Sequence, residues 1–156
     1  MKGNAKLIES LNEILTGELT AINQYFIHAK MCANWGLQRL AKKNRDESIG
    51  EMKHADELIE RILFLEGVPN MQRLDKVRIG ETPHEQLKLD LKSEEVAIPR
   101  LNKAIAQAVD VGDNTSRELL ESILKSEEDH VDWLESQLEL IRQVGEQNYL
   151  AQQIKD

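Results

Sequence analysis

The chain has 156 residues, of which 40% are apolar, 31% charged and only 4% aromatic, with a formal net charge of −8. That length suits one domain, residues 1–156, with a sizeable core, and a mix so poor in aromatics fits an extended helical protein better than a sandwich or barrel. The acidic balance opposes binding to DNA, RNA or anionic membranes, which favour Lys/Arg-rich surfaces, and it favours attraction of cations.

Cys32 is the only cysteine, so an intrachain disulfide is excluded and a reducing cytosol is the natural compartment. The start, Met1 to Lys6, leads into an amphipathic pattern without an apolar leader run, and no stretch reaches the ~20 apolar residues that span a bilayer. The expectation is a soluble cytoplasmic protein.

A first helix is predicted from about Ala5 to Ala33, stopped by Gly36. Gly17 sits inside it, and close approach of a neighbouring helix would explain it. A second helix runs from about Leu37 to Glu66 and stops at Gly67-Val68-Pro69. Residues 67–82 lack sustained periodicity and read as a long connection. Thr82 caps a third helix with Pro83 at its first position, running to about Val111 and ending at Gly112. Pro99 within it should kink it and forfeit the bond to the Glu95 carbonyl. The segment 113–116 supplies caps for a fourth helix, about 115–144, closed by Gly145. A short fifth helix is expected over 147–154.

Each long helix carries an apolar stripe interrupted by an acid. In the first, Ile8, Leu11, Leu15, Ile22, Tyr25 and Ala29 flank Glu18. In the second, Leu37, Leu40, Leu58 and Leu65 flank Glu51 and His54, which lie three apart and share a helical face. In the third, Leu87, Ile98, Leu101 and Ile105 flank Glu94. In the fourth, Leu120, Ile123, Leu134 and Ile141 flank Glu127 and His130.

The spacing turns these residues into geometry. The midpoint of Glu18 and Glu51 falls between Asn34 and Trp35, at the first turn; that of Glu94 and Glu127 falls beside Gly112. Each antiparallel hairpin therefore levels its own two acids. Both acid pairs are 33 residues apart, which suggests an internal pseudo-repeat. The 16 connecting residues can reach roughly 50 Å, enough to climb back the about 40 Å of a parallel neighbour. An all-α four-helix bundle with one long crossover between its second and third helices follows.

Four buried carboxylates at one level would each cost several kcal/mol and repel one another. Two divalent cations balance the four negative charges, and neutral His54 and His130 complete the donor set. Oxygen and nitrogen donors without cysteine suit iron or manganese better than structural zinc. Di-metal carboxylate bundles use this combination, one Glu from each of two helices and Glu-x-x-His from each of the other two. No Lys or Arg sits in the stripes to offer the alternative of buried ion pairs.

A single Glu-x-x-His is weak on its own. Glu81-Thr82-Pro83-His84 also matches, but Pro83 puts Glu81 ahead of the helix, and the pair reads as a solvated turn. Tyr25 lies two turns beyond Glu18, where its hydroxyl needs a buried partner such as a ligand carboxylate. His28 reads as a packed or surface residue, since no carboxylate is spaced for it.

The sequence resembles the bacterioferritin family over essentially its whole length. The resemblance rests on Leu19-Thr20-Ala21-Ile22-Asn23-Gln24-Tyr25-Phe26, Glu51-Met52-Lys53-His54-Ala55-Asp56, Arg61-Ile62-Leu63-Phe64-Leu65-Glu66-Gly67 and Ser126-Glu127-Glu128-Asp129-His130. It implies a ferritin-like fold and a ferroxidase site with two Fe ions per subunit. Glu51 and Glu127 would bridge the ions, Glu18 and Glu94 would be terminal, and His54 and His130 would hold one ion each. It further implies a hollow homo-oligomer of 24 subunits built from twofold dimers, storing ferric mineral, with a ferredoxin-type reductase as partner.

The same resemblance implies haem b shared between two subunits, with Met52 and its twofold mate as axial ligands. Independently, Met52 is rotated about 100° from Glu51 and joins Ala55 and Ile59 on a second apolar face. One departure concerns an inner-wall iron site of some members, whose His and Asp are here Asp46 and Gly50. Asp46 and Glu47 read as a solvated acidic face. Asn34, Glu66, Asp132 and Ser136 resemble pore-lining residues of relatives. Rival readings are a di-iron peroxidase or oxidase without storage and a DNA-protecting mini-ferritin, whose basic tail and intersubunit site this chain does not suggest.

Overall fold

The computed structural model describes residues 1–155. Five helices follow one another: α1 (Ala5–Asn34), α2 (Gln38–Phe64), α3 (Pro83–Asp110), α4 (Asn114–Val144) and the short α5 (Glu146–Ala151). No strand occurs among the described residues, and no helix is long and apolar enough to cross a membrane.

Capping follows the sequence. Asn4, Thr82 and Asp113 accept hydrogen bonds from the amides of Leu7, Glu85 and Ser116, satisfying donors that a helix start leaves open. The second stop departs from expectation. Glu66, with φ 63°, takes the left-handed position that glycine was expected to supply. Gly67 is needed beside it for a different reason, since a Cβ there would come within 2.7 Å of Ile8 Cγ2. α5 starts one residue earlier than expected and ends at Ala151, because the chain then folds back so that Gln153 O accepts from Arg39 N at the start of α2.

Cross-helix contacts fix the directions. Tyr25 meets Glu94 and Gln24 meets Asp90, while Ser10 meets Gln107, so α1 and α3 are antiparallel. His54 meets Glu127 and Arg61 meets Ser116, so α2 and α4 are antiparallel too. α2 and α3 therefore run parallel, and the connection must travel the length of the bundle, as its span predicts.

How it travels is a finding of the structure. The exposed-looking polar side of α1 holds it by the backbone. Asn12 accepts from Asn70 N at 2.8 Å and donates to Val68 O; Thr20 accepts from Asp75 N at 2.9 Å, Gln24 from Arg78 N at 3.1 Å, and His28 Nε2 from Gly80 N at 3.0 Å. Side chains four or eight residues apart on one helix thus replace the ladder that a second strand would give.

The core is divided. One apolar cluster holds Leu7, Leu11, Leu15, Leu58, Ile62, Leu101, Leu120 and Ile123 with their neighbours. The other, at the opposite end, holds Leu37, Leu40, Leu87, Leu134, Ile141 and Tyr149. Every long helix passes from one cluster to the other through the level of its interrupting acid. Pro99 sits on the exposed side of α3, which continues to Asp110. Gly17 faces no helix backbone; a Cβ there would meet the Arg100 guanidinium at 3.4 Å.

Candidate metal centre

Glu18, Glu51, Glu94, Glu127 and His130 are all buried, and His54 nearly so. One ligating atom from each of Glu18, Glu51, His54 and Glu127 lies within 4.8 Å of the others. His54 Nδ1 sits 3.5 Å from Glu18, 3.4 Å from Glu51 and 3.3 Å from Glu127. It forms an aligned hydrogen bond with none of them: His54 Nδ1, Glu18 Oε2, Glu94 Oε2 and Glu127 Oε1 are all buried without a partner. Buried polar atoms are nearly always satisfied, so these orphans, three of them in the converging group, mark a place built for something else to bind.

Glu94, His130 and Tyr25 form an adjoining group. His130 Nδ1 is 3.0 Å from Glu94 Oε1, and the Tyr25 hydroxyl donates to the same oxygen. Tyr25 meets the His130 ring edge-on at 5.2 Å, while Trp133 stacks on its other side. The six stripe residues are therefore together at one level, four converging directly and two standing beside them.

The electrostatics follow from burial. Desolvation raises the carboxyl pKa of Glu18 against the opposing pull of His54, raises that of Glu127, and pushes that of Glu94 well up. Burial also pushes the Tyr25 phenol well above its ordinary value, with Glu94 adding to it, so Tyr25 remains a donor. For His54 burial acts downward, but the carboxylates of Glu127 and Glu18 crowded against its Nδ1 outweigh it and raise the imidazole to about 10. The metal-free site thus balances its charge with protons, which cations would displace.

Other expectations need correction. His28 is fully buried, and it does have a carboxylate: its Nδ1 is 2.9 Å from Asp90 Oδ1. Because Gly80 N–H donates to Nε2, the ring proton is on Nδ1 and donates to Asp90. Met52 is 55% exposed on the outside of α2, but without the companions expected: Ala55 is in the core and Ile59 packs against it. Its exposed apolar neighbour on α2 is Ile49, one turn earlier. Glu47 leans inward, its carboxylate 3.8 Å from His130 Nδ1 and 2.9 Å from Lys43 Nζ, whereas Asp46 is exposed and paired with Lys42. Glu81 precedes α3, so the decoy pair shares no helical face. Asn34, Glu66, Asp132 and Ser136 are all exposed.

A long-crossover helical bundle with carboxylates and histidines levelled at its centre defines a class, and residues 8–144 match the ferritin-like domain. The chain is 50% identical over 149 residues to the bacterioferritin of Rhodobacter capsulatus, covering 96% of this chain and 92% of that one. It is 49% identical over 152 residues to bacterioferritin BfrA of Mycobacterium tuberculosis (97% and 96%), and 46% identical over 149 to the bacterioferritin of Brucella melitensis (96% and 92%). The chain belongs to the bacterioferritin family.

Proposed function

We propose that the protein stores and detoxifies iron, oxidising Fe²⁺ to Fe³⁺ with O₂ or H₂O₂ at the bundle centre and keeping the ferric product as mineral inside a 24-subunit shell. The observation that carries this reading is the set of buried, unpartnered donor atoms on Glu18, His54, Glu94 and Glu127. The donor chemistry fits: carboxylate oxygens and imidazole nitrogens without thiolate suit iron. Glu18, Glu51 and His54 from one hairpin, with Glu94, Glu127 and His130 from the other, would hold two ions. Bound iron supplies the one-electron couple that reduces the oxidant. The protein's part is to present unprotonated carboxylates, to keep Glu94 in place through Tyr25, and to hold the ions out of bulk water between two apolar clusters.

Aerobic Fe²⁺ titration of assembled protein of known native mass tests the reading. Rapid oxidation should disappear in Glu18→Ala and His130→Ala with the assembly intact, and unchanged rates in both would refute it. A native mass of one or two chains with oxidation retained would remove the storage role and leave a di-iron oxidase.

For haem, the exposed Met52 thioether on the outer face of α2 supports ligation by Met52 and its twofold mate. Met52→Leu should remove Soret absorbance and spare Fe²⁺ oxidation; haem retained in that variant would exclude the ligand.

A further inference from the structure

Between α1, α3 and the connection lies a cavity of about 250 Å³. Its floor is the acid level, Glu18, Glu51, Glu94 and Glu127, all buried. Its outer rim is of opposite sign. Lys76 and Arg78 come from the connection and Lys92 and Arg100 from α3, with Asp75 the one rim carboxylate. Four cations against one anion leave the rim three charges positive, on a chain whose net charge is −8.

The rim cations differ in what they do. Arg100 is committed, with Nη1 at 2.7 Å from Asp75 and Nε at 3.4 Å from Glu13. Lys76, Arg78 and Lys92 make no ion pair among the described residues. The backbone that carries Lys76 and Arg78 is nonetheless fixed, because Thr20 and Gln24 accept from the amides of Asp75 and Arg78, and Lys92 stands on α3. Ser93, also lining the cavity, accepts from Gln24 Nε2 at 3.0 Å and keeps its own hydroxyl proton to donate.

A divalent cation approaching from this side meets positive potential before it reaches the acids, whereas an anion is drawn to the rim and halted by the floor. We propose that the rim is a binding site for a small oxyanion of the phosphate class, held by Lys76, Arg78 and Lys92. The cavity is smaller than the roughly 300–1,000 Å³ of pockets for drug-sized ligands, which selects an inorganic ion over a nucleotide. A doubly charged occupant lowers the rim from three positive charges to about one, so it eases passage of a cation toward the floor.

The test uses iron-free, assembled protein titrated with inorganic phosphate, at an ionic strength held constant with chloride and read by calorimetry. One saturable site per chain is expected. Its affinity should fall at least about tenfold in the Lys76→Gln/Lys92→Gln double variant, as loss of charge-assisted bonds implies. It should be unchanged in Lys125→Gln, whose lysine pairs with Asp129 on the surface of α4. Equal affinity in the double variant, equal weakening in Lys125→Gln, or no saturation above the chloride background overturns the proposal. Arg78→Gln reads the same site should the double variant fail to assemble. Since no iron is added, the result stands apart from whether the chain oxidises Fe²⁺.

Discussion

The Tyr25 hydroxyl donates to Glu94 Oε1, the one oxygen of that carboxylate with protein partners; the other, Oε2, is buried and bare. The tyrosine thereby decides which oxygen stays available. It comes from α1 and the glutamate from α3, so the bond also ties the two hairpins together at the acid level. Tyr25→Phe keeps the ring against His130 but removes the donor. The metal-free protein should lose about 1–2 kcal/mol, a fall of about 2–8 °C in melting temperature. An unchanged melting temperature would show that the bond contributes nothing.

The pH dependence of the metal-free protein should have a definite sign. Glu18, Glu94 and Glu127 hold protons more tightly in the folded chain than their ordinary value of 4.5, chiefly through burial. Folded protein therefore binds more protons than unfolded, and stability falls as pH rises above that value. His54 acts in the same direction: its contribution is complete below 6.5 and is lost as pH passes through about 10. Cations must displace these protons, so stabilisation by Co²⁺ should grow between about pH 5 and about pH 8. Calorimetric melting with and without Co²⁺ checks this; a metal-induced shift independent of pH would contradict it.

His28 bridges two elements, with Asp90 of α3 on one nitrogen and the connection's Gly80 amide on the other. His28→Leu fills similar space and leaves both groups without that partner, each loss costing roughly 1–3 kcal/mol. Asp90 keeps a bond from Gln24 Nε2, so the fold should survive. Amide exchange at Gly80 should accelerate at least tenfold while amides in the middle of α2 stay protected. Uniform acceleration would mean global rather than local loosening.

The long helices and the level of buried acids were legible because ionisable residues stood where an apolar stripe required apolar ones. That conflict is local, visible within each helix, and the equal 33-residue intervals align the four conflicts. The path of the connection was not legible. Asn12, Thr20, Gln24 and His28 have the composition of a solvated face, and only the folded chain shows backbone amides lying against them. His28 was misjudged for a related reason: its carboxylate is 62 residues away, beyond any helical spacing. Glu47 likewise looked solvated, and its lean toward His130 depends on where α4 passes. At Gly67 the stop was read in the right place, but the left-handed residue is Glu66, and glycine follows it because a Cβ would meet a methyl group of Ile8.

The division of the core into two apolar ends has a mechanical consequence. Grease holds the rod at its tips, and its waist is closed by protonated acids and the bond from Tyr25 to Glu94. A cation bound among Glu18, Glu51, His54 and Glu127 would act as a rivet through α1, α2 and α4 at once. The acid level, rather than either apolar end, is thus where the metal-free molecule should first begin to breathe.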